Sequence, residues 1–445
     1  MFENKKIFIL GMARSGYEAA KILAKRNNEV VINDKNASQD DVHIKELENL
    51  GVKVILGDHP DDILDTSFDY IIKNPGVHFD HKYLLYAEKN HIKVINEIEM
   101  AYHLLPKDVK MIAITGTNGK TTTTSLTYEI LKECFGKKVH LAGNIGFPLC
   151  SILNKVKEKD IIVMEIGVPQ LHDMYDYRAN IAVLTNIFEA HLDMFKTRKY
   201  YNQNKKRIFN NQTKEDIAIV NRANRDAYKL SKGIKATTKY FSSKKKIKGC
   251  YLKDNKIYYY DEFIIDTKDI KLQGVHNYEN AMCAIMIAKE LAIPNSIIAS
   301  ILKEFSGVEH RIEYVKTLDG VAFYNDSKAT NIKATQIALS AFQKPTILLL
   351  GGQERTQSFY DLKDYLKYTK LVIAYGECKA RIKKEIEDLG LKVILTDDLK
   401  EAVKIAKEVS EDGDIVLLSP ASASWDQYDS FEIRGQEFKD IVSRL

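Results

Sequence analysis

Short apolar runs alternate with amphipathic stretches along most of the chain. Residues 7–10 (Ile7-Phe-Ile-Leu10) are apolar and β-prone. The turn Gly11-Met-Ala-Arg-Ser-Gly16 follows, and residues 17–26 place Ala20, Leu23 and Ala24 at helical spacing. Residues 30–34 then read as a second strand ending in Asp34. The pattern predicts a βαβ opening of the Rossmann kind. The turn lacks the second glycine that lets backbone touch a pyrophosphate, because Ala13 holds that place. A nucleotide-binding-like fold without a working dinucleotide site fits best, and a turn that only joins strand to helix stays open.

A strand over 69–73 runs into Asn74-Pro-Gly76, and a helix over 97–106 ends near Pro106, where a first domain boundary is expected. The same alternation restarts with a strand at 110–115, a helix at 122–133, strands at 161–165, 182–185 and 217–220, and a helix at 277–291. The stretch 240–266 carries Tyr, Lys and Ile in short runs, breaks the rhythm and predicts a hairpin insertion. Its Lys244-Lys-Lys246 run reads as a solvated turn. Phe305-Ser-Gly307 marks a second boundary. Beyond it, strands at 321–324, 346–350, 371–375, 392–395 and 415–418 alternate with helices near 331–341 and 399–409, a second doubly wound sheet. The expected architecture is α/β with three domains, 1–107, 108–308 and 309–445.

The length of 445 residues agrees, at ~150 residues per domain. Apolar residues make up 45% and charged residues 29%, which excludes disorder or a collagen-like repeat as the main state. Lys and Arg total 66 against 61 Asp and Glu, and the resulting net charge of +5 is too slight for a nucleic-acid footprint. Five scattered Cys, with no Cys-x-x-Cys pair, argue against a disulfide framework or zinc ribbon and for a reducing cytoplasm. No apolar run approaches the ~18 residues of a membrane span, and the run at 7–10 is too short for a signal peptide. Neither nucleic acid nor membrane is expected as a partner.

The strongest chemical signal is Ile112-Ala-Ile-Thr-Gly-Thr-Asn-Gly-Lys-Thr-Thr-Thr123. A strand enters Gly116-x-x-Gly119-Lys120-Thr121 and a helix leaves it, so backbone N–H groups can curl around phosphate oxygens. Lys120 can neutralise β/γ-phosphate charge, and the Thr121 hydroxyl can ligate Mg²⁺. The strict P-loop pattern, which asks for a further glycine upstream, is not met. Mg²⁺ needs more oxygen ligands, and Glu165 ends an apolar strand at the sheet edge where ligands gather. The next strand leads to Glu189-Ala-His191-Leu-Asp193, where His191 could ligate metal, orient phosphate or be structural. Tyr324-Asn-Asp-Ser-Lys-Ala-Thr-Asn331 sets Asp326, Lys328 and Thr330 in one loop. That loop suits an amine losing a proton beside a held carboxylate, or equally a helix cap. Leu418-Ser-Pro-Ala-Ser-Ala-Ser-Trp-Asp-Gln427 is a small-residue loop able to close on a substrate, and its Trp425 is expected to pack.

Thr115-Gly-Thr-Asn-Gly-Lys-Thr, Gly143-Asn-Ile-Gly146, His191-Leu-Asp193, Gly274-Val-His-Asn277 with Asn280, His310-Arg311, Asp326-Ser-Lys-Ala-Thr-Asn331 and Ser419-Pro-Ala-Ser-Ala-Ser-Trp-Asp-Gln427 occur in this order. Together they resemble the Mur ligase family over essentially the whole chain. The resemblance implies a Rossmann-like UDP-substrate domain, a central P-loop ATPase domain and a Rossmann-like amino-acid-binding domain. It implies an ATP-dependent amide ligase of cytoplasmic peptidoglycan precursor synthesis, joining D-glutamate to UDP-N-acetylmuramoyl-L-alanine (UDP-MurNAc-L-alanine) through an acyl phosphate. Small-molecule substrates and a monomer are the implied partners and state. ATP and Mg²⁺, two ions, are the implied cofactors.

Carried over by position, Gly116, Thr117, Asn118, Gly119, Lys120, Thr121 and Thr122 form the phosphate loop. Asn280, Arg311 and Asp326 contact the nucleotide. Thr121 and Glu165 hold the first Mg²⁺ and His191 the second. Lys205 matches a carbamylated lysine counted with the metal site, and Lys206 is the neighbouring alternative. Lys120, His191 and Lys205 are the implied catalytic set. Asn144 matches a substrate contact, Arg14 and Ser15 the UDP end, and Lys328, Thr330, Arg355, Ser424 and Phe431 the D-glutamate pocket.

One stretch departs from the family pattern. Where two serines and a phenylalanine are usual, this chain has Gly167-Val-Pro169. Gln353 and Glu354 are also less usual beside Arg355. Two competing readings remain: another ligase of the superfamily with different amino-acid specificity, such as a folylpolyglutamate synthase, or a non-catalytic nucleotide-binding relative. The Asp34-bearing N-terminal βαβ unit argues against the first. The retained Lys205, His191 and 326–331 set argues against the second.

Overall fold

The computed structural model describes residues 1–36, 41–188, 192–354 and 357–445, and among these residues the strands form three sheets. The first sheet takes β1 (Lys6–Leu10), β2 (Glu29–Asp34), β3 (Lys53–Leu56), β4 (Tyr70–Lys73) and β5 (Lys93–Ile95) in the parallel order β3-β2-β1-β4-β5. β1 is an unbroken apolar run because both its faces are buried: Ile7 and Ile9 point into one core, Phe8 and Leu10 into the other.

The second sheet holds β6 (Lys110–Thr115), β7 (Val139–Gly143), β8 (Ile161–Glu165), β9 (Ile181–Leu184), β10 (Ile217–Asn221), β11 (Thr237–Ser242), β12 (Gly249–Lys253), β13 (Lys256–Tyr259) and β14 (Glu262–Asp266). Their order is β14-β13-β12-β11-β10-β9-β6-β8-β7. The expected insertion is an antiparallel meander, β12 to β14, that extends the parallel sheet at one edge. Helices Lys120–Phe135 and Val275–Glu290 pack on one face of this sheet. The other face shares a continuous core with the first sheet, running from Ile7 and Ile72 to Met164 and Val220. A buried ion pair, Lys73 Nζ to Asp173 Oδ2 at 2.9 Å, joins the end of β4 to the segment after β8. The two sheets belong to one compact unit, Met1–Phe305.

A second compact unit spans Ser306–Leu445. It contains β15 (Glu313–Leu318), β16 (Val321–Asn325), β17 (Thr346–Gly351), β18 (Thr369–Tyr375), β19 (Val393–Leu395) and β20 (Ile415–Ala421) in the order β15-β16-β20-β17-β18-β19. All neighbours are parallel except β15 and β16, a hairpin turned by Asp319 and Gly320, both at positive φ. The sheet is therefore doubly wound with an antiparallel edge. The apolar pattern does not announce β3, β7 or β15, since each mixes polar and apolar residues. Two helix ends also shift. The first helix begins at Arg14, and the helix expected to reach Pro106 stops at Tyr102.

Candidate active site

β6 delivers the chain into the glycine-rich loop, and the helix Lys120–Phe135 leaves it. Gly119 sits at φ +78°, and a Cβ there would lie 2.2 Å from Asn280 Oδ1, so the buried Asn280 requires glycine beneath it. The loop is clamped from the end of β9. The N–H groups of Asn118 and Thr117 donate to Asn186 Oδ1 (2.9 Å) and to the Asn186 carbonyl (3.0 Å). Thr185 Oγ1 donates to the Asn118 carbonyl at 2.7 Å.

Two lysine side chains meet at this loop. Lys120 Nζ donates to the carbonyls of Gly116 (3.1 Å) and Thr117 (2.9 Å). Lys205 Nζ, from the helix Arg198–Lys206, donates to the same Gly116 carbonyl at 2.8 Å. Lys205 is 1% exposed. Burial first, and the Lys120 charge second, hold its pKa well below the usual lysine range. Lys206 instead donates to the Lys232 carbonyl at 2.8 Å, so only Lys205 faces the loop. Tyr201, one helical turn earlier, sets its ring 4.8 Å from Lys205 Nζ and its hydroxyl 3.0 Å from Thr117 Oγ1.

Glu165 ends β8, beside β6, with its side chain buried. Oε1 accepts from Asn144 Nδ2 at 2.8 Å, whereas Oε2 has no hydrogen-bond partner among the described residues. A buried carboxylate oxygen left without a donor is costly, and a cation would satisfy it. Thr121, buried in the first turn of the following helix, supplies a hydroxyl at the same sheet edge. This all-oxygen donor set suits Mg²⁺. On the first sheet, Arg14 Nη1 reaches the Gly146 carbonyl at 3.5 Å, and Ser15 Oγ accepts from Asn74 Nδ2 at 2.9 Å. Asp34 Oδ2 accepts the Met12 N–H at 2.7 Å, so the acid ending β2 secures the Gly11 turn itself. The departing stretch forms the start of a short helix, Val168–His172, in which Gln170 Oε1 accepts the Gly167 N–H at 2.8 Å.

In the second unit the loop after β16 packs against the end of β20. Asp326 Oδ2 accepts from Ser419 Oγ (2.7 Å) and Oδ1 from the Ile312 N–H (3.2 Å). Burial raises its pKa to about 7 against those donors and the nearby Arg311 charge. Lys328 Nζ lies 5.6 Å over the Phe431 ring, and Thr330 is held in the same loop by its N–H on the Lys328 carbonyl. Ser424 is buried, and its Oγ has no hydrogen-bond partner among the described residues. Trp425, expected to pack, is 64% exposed, because it stands on the loop beyond the sheet edge. Arg434 is fully buried and spans three loops: Nε and Nη2 donate to Ser327 Oγ and its carbonyl (3.0 and 2.9 Å), Nη2 to the Ser422 carbonyl (3.1 Å), and Nη1 to the Gly351 carbonyl (3.4 Å).

Three family models match the chain in order: "Mur ligase MurD-like, N-terminal domain" over 5–96, "Mur ligase middle domain" over 114–288 and "Mur ligase, glutamate ligase domain" over 310–422. A UDP-N-acetylmuramoylalanine–D-glutamate ligase of Bacillus thuringiensis is 42% identical over 446 residues, covering 100% of this chain and 98% of that protein. The ligase of the same name from a Geobacillus strain is 41% identical over 447 residues, at the same coverage. The chain belongs to the Mur ligase family. Solved Mur ligases share its fold at low identity. The UDP-N-acetylmuramate–alanine ligase of Thermotoga maritima has a TM-score of 0.58 at 18% identity, over 99% of both chains. A pseudomurein peptide ligase of Methanothermus fervidus has a TM-score of 0.53 at 18% identity, over 99% of this chain and 100% of that one.

In this Mur ligase the first unit gathers Gly116 to Thr122, Lys120, Lys205 and Asn280 at one loop, with Glu165 and Asn144 at the neighbouring strand ends. Arg311, Asp326, Lys328, Thr330, Ser424 and Phe431 lie in the second unit. His191 and Arg355 fall outside the described residues. Three functional positions escaped sequence reasoning: Asn186, Tyr201 and Arg434. Tyr201 and Lys205 are four apart, one helical face, which is the signal that separates Lys205 from Lys206. Arg434, Phe438 and Val442 also repeat every four residues on a buried stripe.

Proposed function

We propose that this Mur ligase forms the amide between D-glutamate and the L-alanyl carboxylate of UDP-MurNAc-L-alanine, with ATP converted to ADP and phosphate. The observation that carries the reading is the glycine-rich loop with two lysines, Lys205 buried and Lys120 partly so, on one of its carbonyls, and beside it a Glu165 oxygen with no partner among the described residues. An amine and a carboxylate at neutral pH form a salt, so the carboxylate must first be activated. The carboxylate oxygen attacks the γ-phosphorus, and the Pγ–O bond to ADP breaks. The amine nitrogen then attacks the acyl phosphate carbon, a tetrahedral centre forms, and phosphate leaves.

Backbone N–H groups of 116–121 and the Lys120 ammonium receive the growing phosphate charge. Thr121 and Glu165 would hold Mg²⁺, which neutralises phosphate charge when bound, and His191 would hold a second ion. Lys205, whose pKa burial holds well below the usual lysine range, is suited to react with CO₂. Its neutral amine nitrogen adds to the CO₂ carbon, one C=O electron pair moves onto oxygen, and an N–H proton passes to solvent, which leaves an anionic carbamate. Arg14, Ser15 and Asn144 hold the UDP-sugar portion, Asn280, Arg311 and Asp326 the nucleotide. Lys328, Thr330, Arg355, Ser424 and Phe431 receive D-glutamate, whose acid groups match the cations. The assigned domains are 1–107 for the UDP substrate, 108–308 for ATP and 309–445 for the amino acid. The enzyme acts as a cytoplasmic monomer. Among the described residues no helix is long and apolar enough to cross a membrane.

The test is ADP release with UDP-MurNAc-L-alanine, ATP and Mg²⁺ while single amino acids are added. D-glutamate alone should stimulate it. Stimulation by a different amino acid would favour another branch of the family.

A further inference from the structure

A cavity of about 470 Å³ opens beside the segment that clamps the ATP loop, lined by Phe188, Arg198, Asn224, Arg225, Asp226 and Lys229. It lies across the central sheet from the helices Lys120–Phe135 and Val275–Glu290. Ala227 packs in the core with Ala218 and Val220, whereas Ile219 packs in the core with Ala281 and Ala284. The cavity is therefore distinct from the Asn280 side of the loop.

Its charge is unbalanced. Asp226 is ion-paired with Arg198, which leaves Arg225 and Lys229, both exposed, one helical turn apart and unpaired among the described residues. Like charges at that spacing repel, and an anion between them removes the repulsion. Two more cations flank that helix (Arg225–Leu230), Arg222 before it at 3.5 Å and Lys232 after it at 4.5 Å from the Tyr228 ring centre. The floor is fixed: the Asn224 side chain bonds the Ile187 N–H (3.3 Å) and carbonyl (3.2 Å). Phe188, half exposed, forms one wall.

We propose that this cavity is a second anion site, separate from the ligase reaction, that takes a small polyanion of the phosphate class. The cavity wall is joined to the ATP loop. The Phe188 N–H donates to Thr117 Oγ1 at 2.9 Å, and Thr117 Oγ1 donates to the Phe188 carbonyl at 3.2 Å. An anion seated against Phe188 therefore bears on Thr117 and changes the KM for ATP.

The experiment titrates inorganic tripolyphosphate calorimetrically into the full chain, with Mg²⁺ in excess and the ATP loop filled by a non-hydrolysable ATP analogue. The wild type should bind one further equivalent, and Arg225→Gln/Lys229→Gln should weaken that binding at least about tenfold. The variant should keep the wild-type melting temperature and its ligase rate without polyphosphate. Arg225→Lys should retain most of the binding, which separates loss of charge from loss of fold. Equal binding by wild type and double variant, or no binding by the loaded wild type, would overturn the proposal.

Discussion

Lys120 and Lys205 converge on one backbone carbonyl, that of Gly116, at 3.1 and 2.8 Å. They come from different helices, one opening at the loop and one ending beside it. Two ammonium groups so close would repel if both were charged. Burial first, and the Lys120 charge second, hold the Lys205 pKa well below the usual lysine range, and Lys120 is the one proposed to face phosphate.

Lys120→Ala should therefore lower the rate of ADP release by about 10²–10³-fold, the scale for losing one charge-stabilising donor. Binding of UDP-MurNAc-L-alanine, measured calorimetrically, should stay within a few-fold of wild type. An unchanged ADP release rate would refute the phosphate assignment.

Lys205→Ala should be inactive and should regain part of its rate when a short-chain carboxylate such as acetate is added, because the carboxylate would stand in for the proposed carbamate. Lys206→Ala, on the solvent side, should stay near wild type. If acetate rescues neither variant and Lys206→Ala is the more damaged, the carbamate belongs elsewhere.

Glu165→Gln removes the acid whose Oε2 has no partner. The Mg²⁺ concentration needed for half-maximal activity should rise at least about tenfold, an electrostatic loss of about 1.4 kcal/mol or more. Since the buried charge also goes, thermal stability in the absence of metal should not fall. A metal requirement identical to wild type would remove Glu165 from the metal site.

Asp326 yields a pH prediction. Its folded pKa, about 7, lies above the ~3.9 of an unfolded aspartate, so between those values the folded state holds a proton that the unfolded state releases. Its contribution is stabilising at acid pH and is lost as pH rises from about 4 through 7. Asp326→Asn should flatten that part of the melting-temperature profile. Glu97, also held at about 7 by burial, keeps its own share of the slope. Superimposable profiles would show that Asp326 does not titrate in this range.

Arg434→Met should cost stability on the order of 3 kcal/mol, because the buried carbonyls of Ser327, Ser422 and Gly351 lose their donor. The segments it joins lie beside the contacts proposed for the amino acid, so the KM for D-glutamate should rise far more than the KM for UDP-MurNAc-L-alanine. Arg434→Lys should recover stability in part. Equal changes in both KM values would reduce Arg434 to a general packing role.

Much of this was legible in the sequence where local pattern and tertiary role coincide. The strand at 110–115 is β6, residue for residue, because a central parallel strand is buried on both faces and reads as a plain apolar run. The glycine-rich turn between β6 and its helix was equally plain, since its glycines answer to local geometry. Edge strands were not, because β3 and β15 bury too little to carry a continuous apolar run. Polar residues working inside the fold were the hardest. Asn186 and Arg434 gain their roles from partners 68 and 107 residues away, and no local pattern encodes such partners. Trp425 misled for the opposite reason: size and apolarity favour burial, yet the loop after β20 holds it outside the sheet.

The amide that is made defines this enzyme. The most direct measurement is mass spectrometry of the nucleotide product after incubation with UDP-MurNAc-L-alanine, ATP, Mg²⁺ and an equal mixture of D- and L-glutamate, the D form isotopically labelled. A product carrying one labelled D-glutamate per ADP released agrees with the account. A product carrying L-glutamate, or ADP release with no adduct, contradicts it.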